Sequence, residues 1–203
     1  MKMIVNLSFL FVSLLLLTSS SVAQSSGVAP LDYSQYGRPQ VPVRVLLLIP
    51  EDFERFVYVS TYEGREIRHP LGEEAVRELR IAFGIEFTCV EVRPVRSEAE
   101  AMAMLSPKDP VTGEVRGYDY VVIPKFTRVD SSVENQKYGF DIDLLTEFYA
   151  KDGATVTKIK GHGESSTGKW FASTPEEGAR IALQYAVSAI LDGVEKNRSL
   201  FVH

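Results

Sequence analysis

Phe140-Asp141-Ile142-Asp143-Leu144-Leu145-Thr146-Glu147-Phe148-Tyr149 runs into Ala150-Lys151-Asp152-Gly153 and then into Ala154-Thr155-Val156-Thr157-Lys158-Ile159-Lys160. Phe140, Ile142, Leu144, Thr146 and Phe148 alternate with Asp141, Asp143, Leu145, Glu147 and Tyr149, the two-residue period of a strand with one face on a core. Asp152-Gly153 tolerates the positive φ of a tight turn, so residues 154–160 are expected to return beside the first strand as a hairpin. The C-terminal segment is expected to lie across this sheet. Thr174 caps a helix there, Pro175 takes its first position and Glu177 completes a capping box. Ala179, Leu183, Ala186, Val187, Ile190, Leu191 and Val194 then form a long apolar stripe. The small Ala179, Ala182, Ala186 and Ala189 allow a close approach to the sheet.

Nearer the N-terminus, Val43 to Ile49 is an almost unbroken apolar run ended by Pro50, the pattern of a strand covered on both faces. Val57-Tyr58-Val59 reads as a short strand, and the charged stretch from Tyr62 to Pro70 as a loop. Ala75, Val76, Leu79 and Phe83 share one helical face opposite Glu73, Glu74, Glu78 and Arg80, in a helix expected to end at Gly84. Ile85 to Val92 has strand character. Ser97 with Glu98, Ala99 and Glu100 caps a short helix through Leu105. Pro107, Pro110 and Gly113 make a turn-rich loop, and a strand resumes at Tyr118 to Ile123, with Pro124 placing a bulge or an edge there. The order predicts an α+β fold: a mixed, mostly antiparallel sheet, helices mainly on one face, and the C-terminal helix across it.

The expected domain plan for the 203 residues is a signal peptide over 1–23, a flexible leader over 24–40, one domain over 41–196 and a tail over 197–203. Lys2 precedes the apolar stretch Phe9 to Leu17, and Ser21-Val22-Ala23 supplies the small residues of a cleavage site. That stretch is about half of what spans a hydrocarbon core of roughly 30 Å. The only cysteine, Cys89, is far from the cleavage region, so the product is expected to be exported, periplasmic or secreted, without a lipid anchor. One cysteine excludes an internal disulfide framework and a Cys-rich zinc site. Within its strand-like run, Cys89 reads as a small buried hydrophobe. A formal net charge of -5, with Lys and Arg scattered among the acids, leaves no cationic face for nucleic acid.

Several segments imitate functional motifs. Gly163-Glu164-Ser165-Ser166-Thr167-Gly168-Lys169 has phosphate-loop spacing, but Trp170 stands where a magnesium-binding hydroxyl is required, so the stretch reads as a Gly/Ser loop without nucleotide. His69 and His162 read as loop residues and His203 is terminal, so no metal ligand set is assigned. Asp141, Asp143 and Glu147 share one side of their strand. They suit paired acids or calcium oxygens, and the wet face of an antiparallel strand produces the same pattern. Ser165, Ser166 and Ser173 lack a nucleophile elbow. No catalytic or cofactor-binding residue is assigned, and no cofactor is expected. The candidate interaction surface is Phe53, Arg55, Phe56, Tyr58, Tyr62 and Arg65, since aromatics and arginine carry interface energy; packing over the core is the other reading of these aromatics.

Gly161-His162-Gly163-Glu164-Ser165 after a strand hairpin, followed by a helix containing Gly178-Ala179-Arg180-Ile181-Ala182-Leu183-Gln184-Tyr185-Ala186, resembles small envelope proteins of the YajG-like and TolB-N-terminal-like type. The resemblance covers roughly residues 118 to 196. It implies an α/β periplasmic protein, often a lipoprotein, acting as an assembly or accessory factor; this chain departs from the lipoprotein pattern by lacking the acceptor cysteine. The expected function is that of an exported, non-enzymatic envelope protein acting through a protein partner or homo-oligomerisation. The alternatives are a secreted enzyme using Asp141, Asp143, Glu147 or His162, and a small-ligand carrier with an apolar cavity.

Overall fold

A computed structural model describes residues 39–105, 117–134, 137–166 and 174–201. The signal peptide, most of the leader, the Pro107 to Gly113 loop, and Lys169, Trp170 and Ser173 lie outside the described residues. The elements are β1 (Val41–Pro50), α1 (Glu51–Glu54), β2 (Tyr58–Tyr62), β3 (Arg65–His69), α2 (Leu71–Glu86), β4 (Phe87–Val95), α3 (Glu98–Met104), β5 (Tyr120–Glu134), β6 (Lys137–Ala150), β7 (Thr155–Ser166) and α4 (Pro175–Lys196).

The main sheet has the order β4-β1-β5-β6-β7, with β1 parallel to both neighbours and β5, β6 and β7 antiparallel, while β2 and β3 form a separate ribbon. The unbroken apolar run of β1 follows from burial on both sides. Val45, Leu47 and Ile49 face the layer of α2 and α4, and Leu46 and Leu48 face Ala101 and Leu105 at α3. The α+β sheet with helices mainly on one face is therefore observed as read.

The β6–β7 hairpin turns at Gly153 (φ 83), where Asp152 Oδ1 accepts from the Ala154 N–H at 3.0 Å. Phe140, Ile142, Leu144 and Phe148 face the core, and α4 lies over β7 and β6. Gly161 and Gly163 make this approach possible: a Cβ at either would stand 1.9 Å from the backbone oxygen of Ala186 or Ala182. The helix starts as its sequence predicts, with Thr174 Oγ1 accepting from the Glu177 N–H at 3.2 Å.

Several expectations are corrected. The stretch from Tyr62 to Pro70 contains β3, which pairs with β2 after a turn at Glu63 and Gly64, and its His69 is 2% exposed, with Nε2 2.8 Å from Ser60 Oγ. The α2 helix begins at Leu71 and passes through Gly84 to Glu86, because Gly84 sits on the exposed side with nothing crowding it. Cys89 is exposed rather than buried, since β4 is an edge strand whose Thr88-Cys89 segment lacks a cover. β5 continues past Pro124 to Glu134; its pairing to β1 covers Tyr120 to Val122, so Pro124 lies beyond that ladder, and the bulge falls between Phe126 and Arg128. Gly161 to Ser166 is strand, which moves His162 from a loop into β7. Phe201 is fully buried against the rings of Phe87, Tyr120 and Phe148, and Arg198 pairs with Glu86 at 2.9 Å.

Candidate functional site

The side of β5, β6 and β7 opposite α4 collects charge. α3 covers this face at β1 and β5, and polar side chains take over beyond it. The β5 bulge matters here. It shifts the alternation by one residue, so that Arg128 and Asp130 join Lys125 on the outer face, beside Asp141, Asp143 and Glu147 of β6 and Lys158, Lys160, His162 and Glu164 of β7.

Glu147 centres one cluster. Its Oε1 lies 2.9 Å from Lys158 Nζ and 3.1 Å from Lys125 Nζ, and Tyr149 donates its hydroxyl to Oε2. Burial works to raise the Glu147 pKa, but the bonds from Tyr149, Lys158 and Lys125 outweigh it and bring the group down to about 2. Burial and the same carboxylate push the Tyr149 phenol up. A carboxylate held so low exchanges no proton near neutrality, so this cluster ties three strands together and is poorly suited to general acid chemistry.

Asp141, Asp143 and His162 form the second cluster. His162 Nδ1 is 2.9 Å from Asp143 Oδ1 and 3.6 Å from Asp141 Oδ1, and its Nε2 is 3.1 Å from Glu164 Oε1. Lys160 Nζ reaches Asp143 Oδ2 at 2.7 Å, and Arg128 Nη2 reaches Asp141 Oδ2 at 3.2 Å. Burial alone would raise Asp143, yet its bonds to Lys160 and His162 hold it below the usual carboxylate range; His162 is raised by Asp143 and Glu164. The wet-face description of β6 is corrected, because Asp143 and Glu147 are buried beneath their partners. On β7 the sequence reading names His162, as an alternative catalytic residue and from a loop, and misses Lys158, Lys160 and Glu164. Their signal is the alternation Lys158, Lys160, His162, Glu164, which continues the period of the hairpin through both glycines.

The aromatic group lies elsewhere. Phe53 and Phe56 stack on Phe126 at 4.9 and 4.8 Å, Tyr58 meets Phe140 edge-on at 6.1 Å, and Tyr62 meets Tyr138 at 5.4 Å. These four rings line the seam between the β2–β3 ribbon and the sheet, while Arg55 and Arg65 are exposed. On the outer side of the ribbon, Val57 and Val59 are 44% and 46% exposed. A third feature is an open crevice of about 360 Å³ at the carboxyl ends of β1 and β4, bordered by Glu51, Glu54, Arg55, Arg96 and Glu100. Pro94 and Val95 complete its lining, which mixes charged and apolar side chains.

No protein-family model matches the chain, and no curated protein matches it. Among solved structures, it is similar to a protein of the DUF330 family from Xanthomonas campestris (12% identity over 80% of this chain and 87% of that one, TM-score 0.44). It is also similar to a minor lipoprotein from Acinetobacter baumannii (10%, 79% and 96%, TM-score 0.45) and to a lipoprotein from Neisseria meningitidis (13%, 75% and 99%, TM-score 0.39). Two of these three similar structures are lipoproteins, and the similarities do not single out the YajG-like or TolB-N-terminal-like type. The expectation of a product without a lipid anchor is withdrawn, because similar structures from A. baumannii and N. meningitidis are lipoproteins. Among the described residues, no helix is long and apolar enough to cross a membrane.

Proposed function

We propose that the chain is a non-enzymatic envelope accessory domain that works through protein–protein contact, and that its contact is edge-to-edge pairing of β4 with the β4 of a second copy. The observation that carries this reading is the self-complementary charge of an open edge. β4 ends the sheet order, and among the described residues no strand pairs with its outer side. Glu91 and Arg93 flank Val92 on that strand, both part-exposed. A two-fold axis through Val92 in an antiparallel pair sets each Glu91 directly opposite Arg93 of the other copy, an isologous contact worth roughly 0.2–1 kcal/mol per ion pair beyond the main-chain ladder. The opposite edge, β7, carries Lys158 and Lys160, the kind of charge that discourages strand addition.

Size-exclusion chromatography with light scattering tests the reading. The protein is expected to run as a dimer, Glu91→Arg to dissociate it by placing like charges opposite each other, and Glu91→Arg combined with Arg93→Glu to restore it. A monomer at every workable concentration, or a dimer indifferent to Glu91→Arg, overturns the proposal.

A further inference from the structure

The cluster on the outer face of β6 and β7 is used by neither the core nor the β4 contact. We infer that Asp141, Asp143 and His162 bind one divalent transition-metal ion of the zinc class through Asp141 Oδ1, Asp143 Oδ1 and His162 Nδ1. Each of the three residues offers one ligand atom within 4.8 Å of the others. An ion about 2.0–2.2 Å from nitrogen and oxygen donors requires neighbouring donors roughly 3–3.5 Å apart. The separations of 2.9 and 3.6 Å from Nδ1 to the two carboxylates already approach that spacing.

Asp141 Oδ1 is the atom that calls for a ligand. It is shut off from solvent and accepts no hydrogen bond, whereas buried acceptors are nearly always satisfied. The far atom of each ligand is meanwhile held from outside: Arg128 on Asp141 Oδ2, Lys160 on Asp143 Oδ2 and Glu164 on His162 Nε2. A carboxylate on the distal nitrogen favours the tautomer whose Nδ1 lone pair faces the two aspartates, the recurring outer-shell arrangement of metal-bound imidazole. On binding, the ion replaces the proton that Nδ1 otherwise shares with Asp143.

Charge and donor type narrow the ion. Asp130, Asp141, Asp143 and Glu164 are met by the permanent cations Arg128 and Lys160, so with neutral His162 two negative charges remain for a divalent cation to balance. An imidazole nitrogen among the donors favours zinc and its neighbours over calcium, which takes oxygen. Asp143 and His162 are direct partners across the β6–β7 ladder, so two ligands sit on adjacent strands backed by α4. Three protein donors leave a position for water or for a group from a bound partner.

Isothermal titration of the EDTA-stripped protein with Zn²⁺, together with visible absorption on adding Co²⁺, reads the site directly. One ion per chain is expected to bind with a micromolar or tighter Kd, with Co²⁺ bands of a nitrogen- and oxygen-ligated centre. His162→Ala and Asp141→Asn are each expected to weaken binding at least tenfold with an unchanged circular dichroism spectrum, and Glu164→Gln about tenfold through loss of the outer hydrogen bond. His203→Ala should leave the titration as it was. The absence of saturable binding up to about 1 mM Zn²⁺, where a bound ion would also raise the melting temperature, overturns the assignment. So does undiminished binding in either His162→Ala or Asp141→Asn.

Discussion

On its inner side, β6 presents Phe140, Ile142, Leu144 and Phe148 to the core shared with α2, α4 and the β2–β3 ribbon, while on its outer side the same strand presents Asp141, Asp143 and Glu147 to lysines and an arginine from β5 and β7. Both sides exclude water from buried groups, but by different means. The inner side closes by distance, with a helix backbone resting on two glycines. The outer side closes by pairing, with long side chains folded over carboxylates. Volume should therefore decide the fate of an inner-face change, and charge the fate of an outer-face one.

Gly163→Ala is the sharpest way to break that contrast. The new methyl would meet the Ala182 oxygen at 1.9 Å and the Ala186 nitrogen at 2.5 Å, and both are backbone atoms that move only with the whole helix. Urea denaturation is expected to show a loss of roughly 3 kcal/mol or more, with an unchanged m-value. Lys158→Ala, on the outer side of the same strand, is part-exposed and should cost less than about 1 kcal/mol. A tolerated Gly163→Ala would mean that α4 does not rest on the strand as described.

Glu147→Gln tests the outer side, where shape is kept and charge removed. A fall in pKa from 4.5 to about 2 corresponds to roughly 3 kcal/mol, and because both lysines are part-exposed about 2 is expected. The pH dependence follows from the sign. Unfolded Glu147 binds a proton more readily than folded Glu147, so its contribution is fully present above pH 4.5 and is lost as the pH falls toward about 2. Stability curves of the wild type and Glu147→Gln should therefore converge across that window. Parallel curves would show that the ion pairs contribute nothing beyond packing.

The same contrast explains what could be read from the chain in advance. The inner side was legible because its signals are local: the alternation of Phe140 to Phe148, the Asp152-Gly153 turn, and the Thr174, Pro175 and Glu177 start of α4. Gly161 and Gly163 misled, because paired glycines read as chain freedom, whereas here they mark a close approach between backbones. The outer side depends on register. Arg128 joins Asp141 only because β5 bulges between Phe126 and Arg128, and no residue type announces that bulge. β3 was hidden for a related reason: Arg65, Glu66 and Arg68 carry the charge of a loop, and their pairing with β2 becomes evident only from the folded ribbon.

The smallest expected effect lies at the Thr88-Cys89 end of β4, where the outer face is exposed. Cys89 shares that face with Glu91 and Arg93, which pair with each other at 3.1 Å, and among the described residues no helix or ion pair covers Cys89 itself. A thiol at such a position should react with Ellman's reagent in the native protein at a rate within about tenfold of the denatured chain. Cys89→Ser should change stability by less than about 0.5 kcal/mol. Its side chain stands off the sheet face, whereas β4 pairing uses the main-chain edge, so labelling should proceed equally in a dimer. Slow labelling that accelerates in Glu91→Arg would place a partner over the face rather than beside the edge, and would shift the proposed contact from strand pairing to sheet packing.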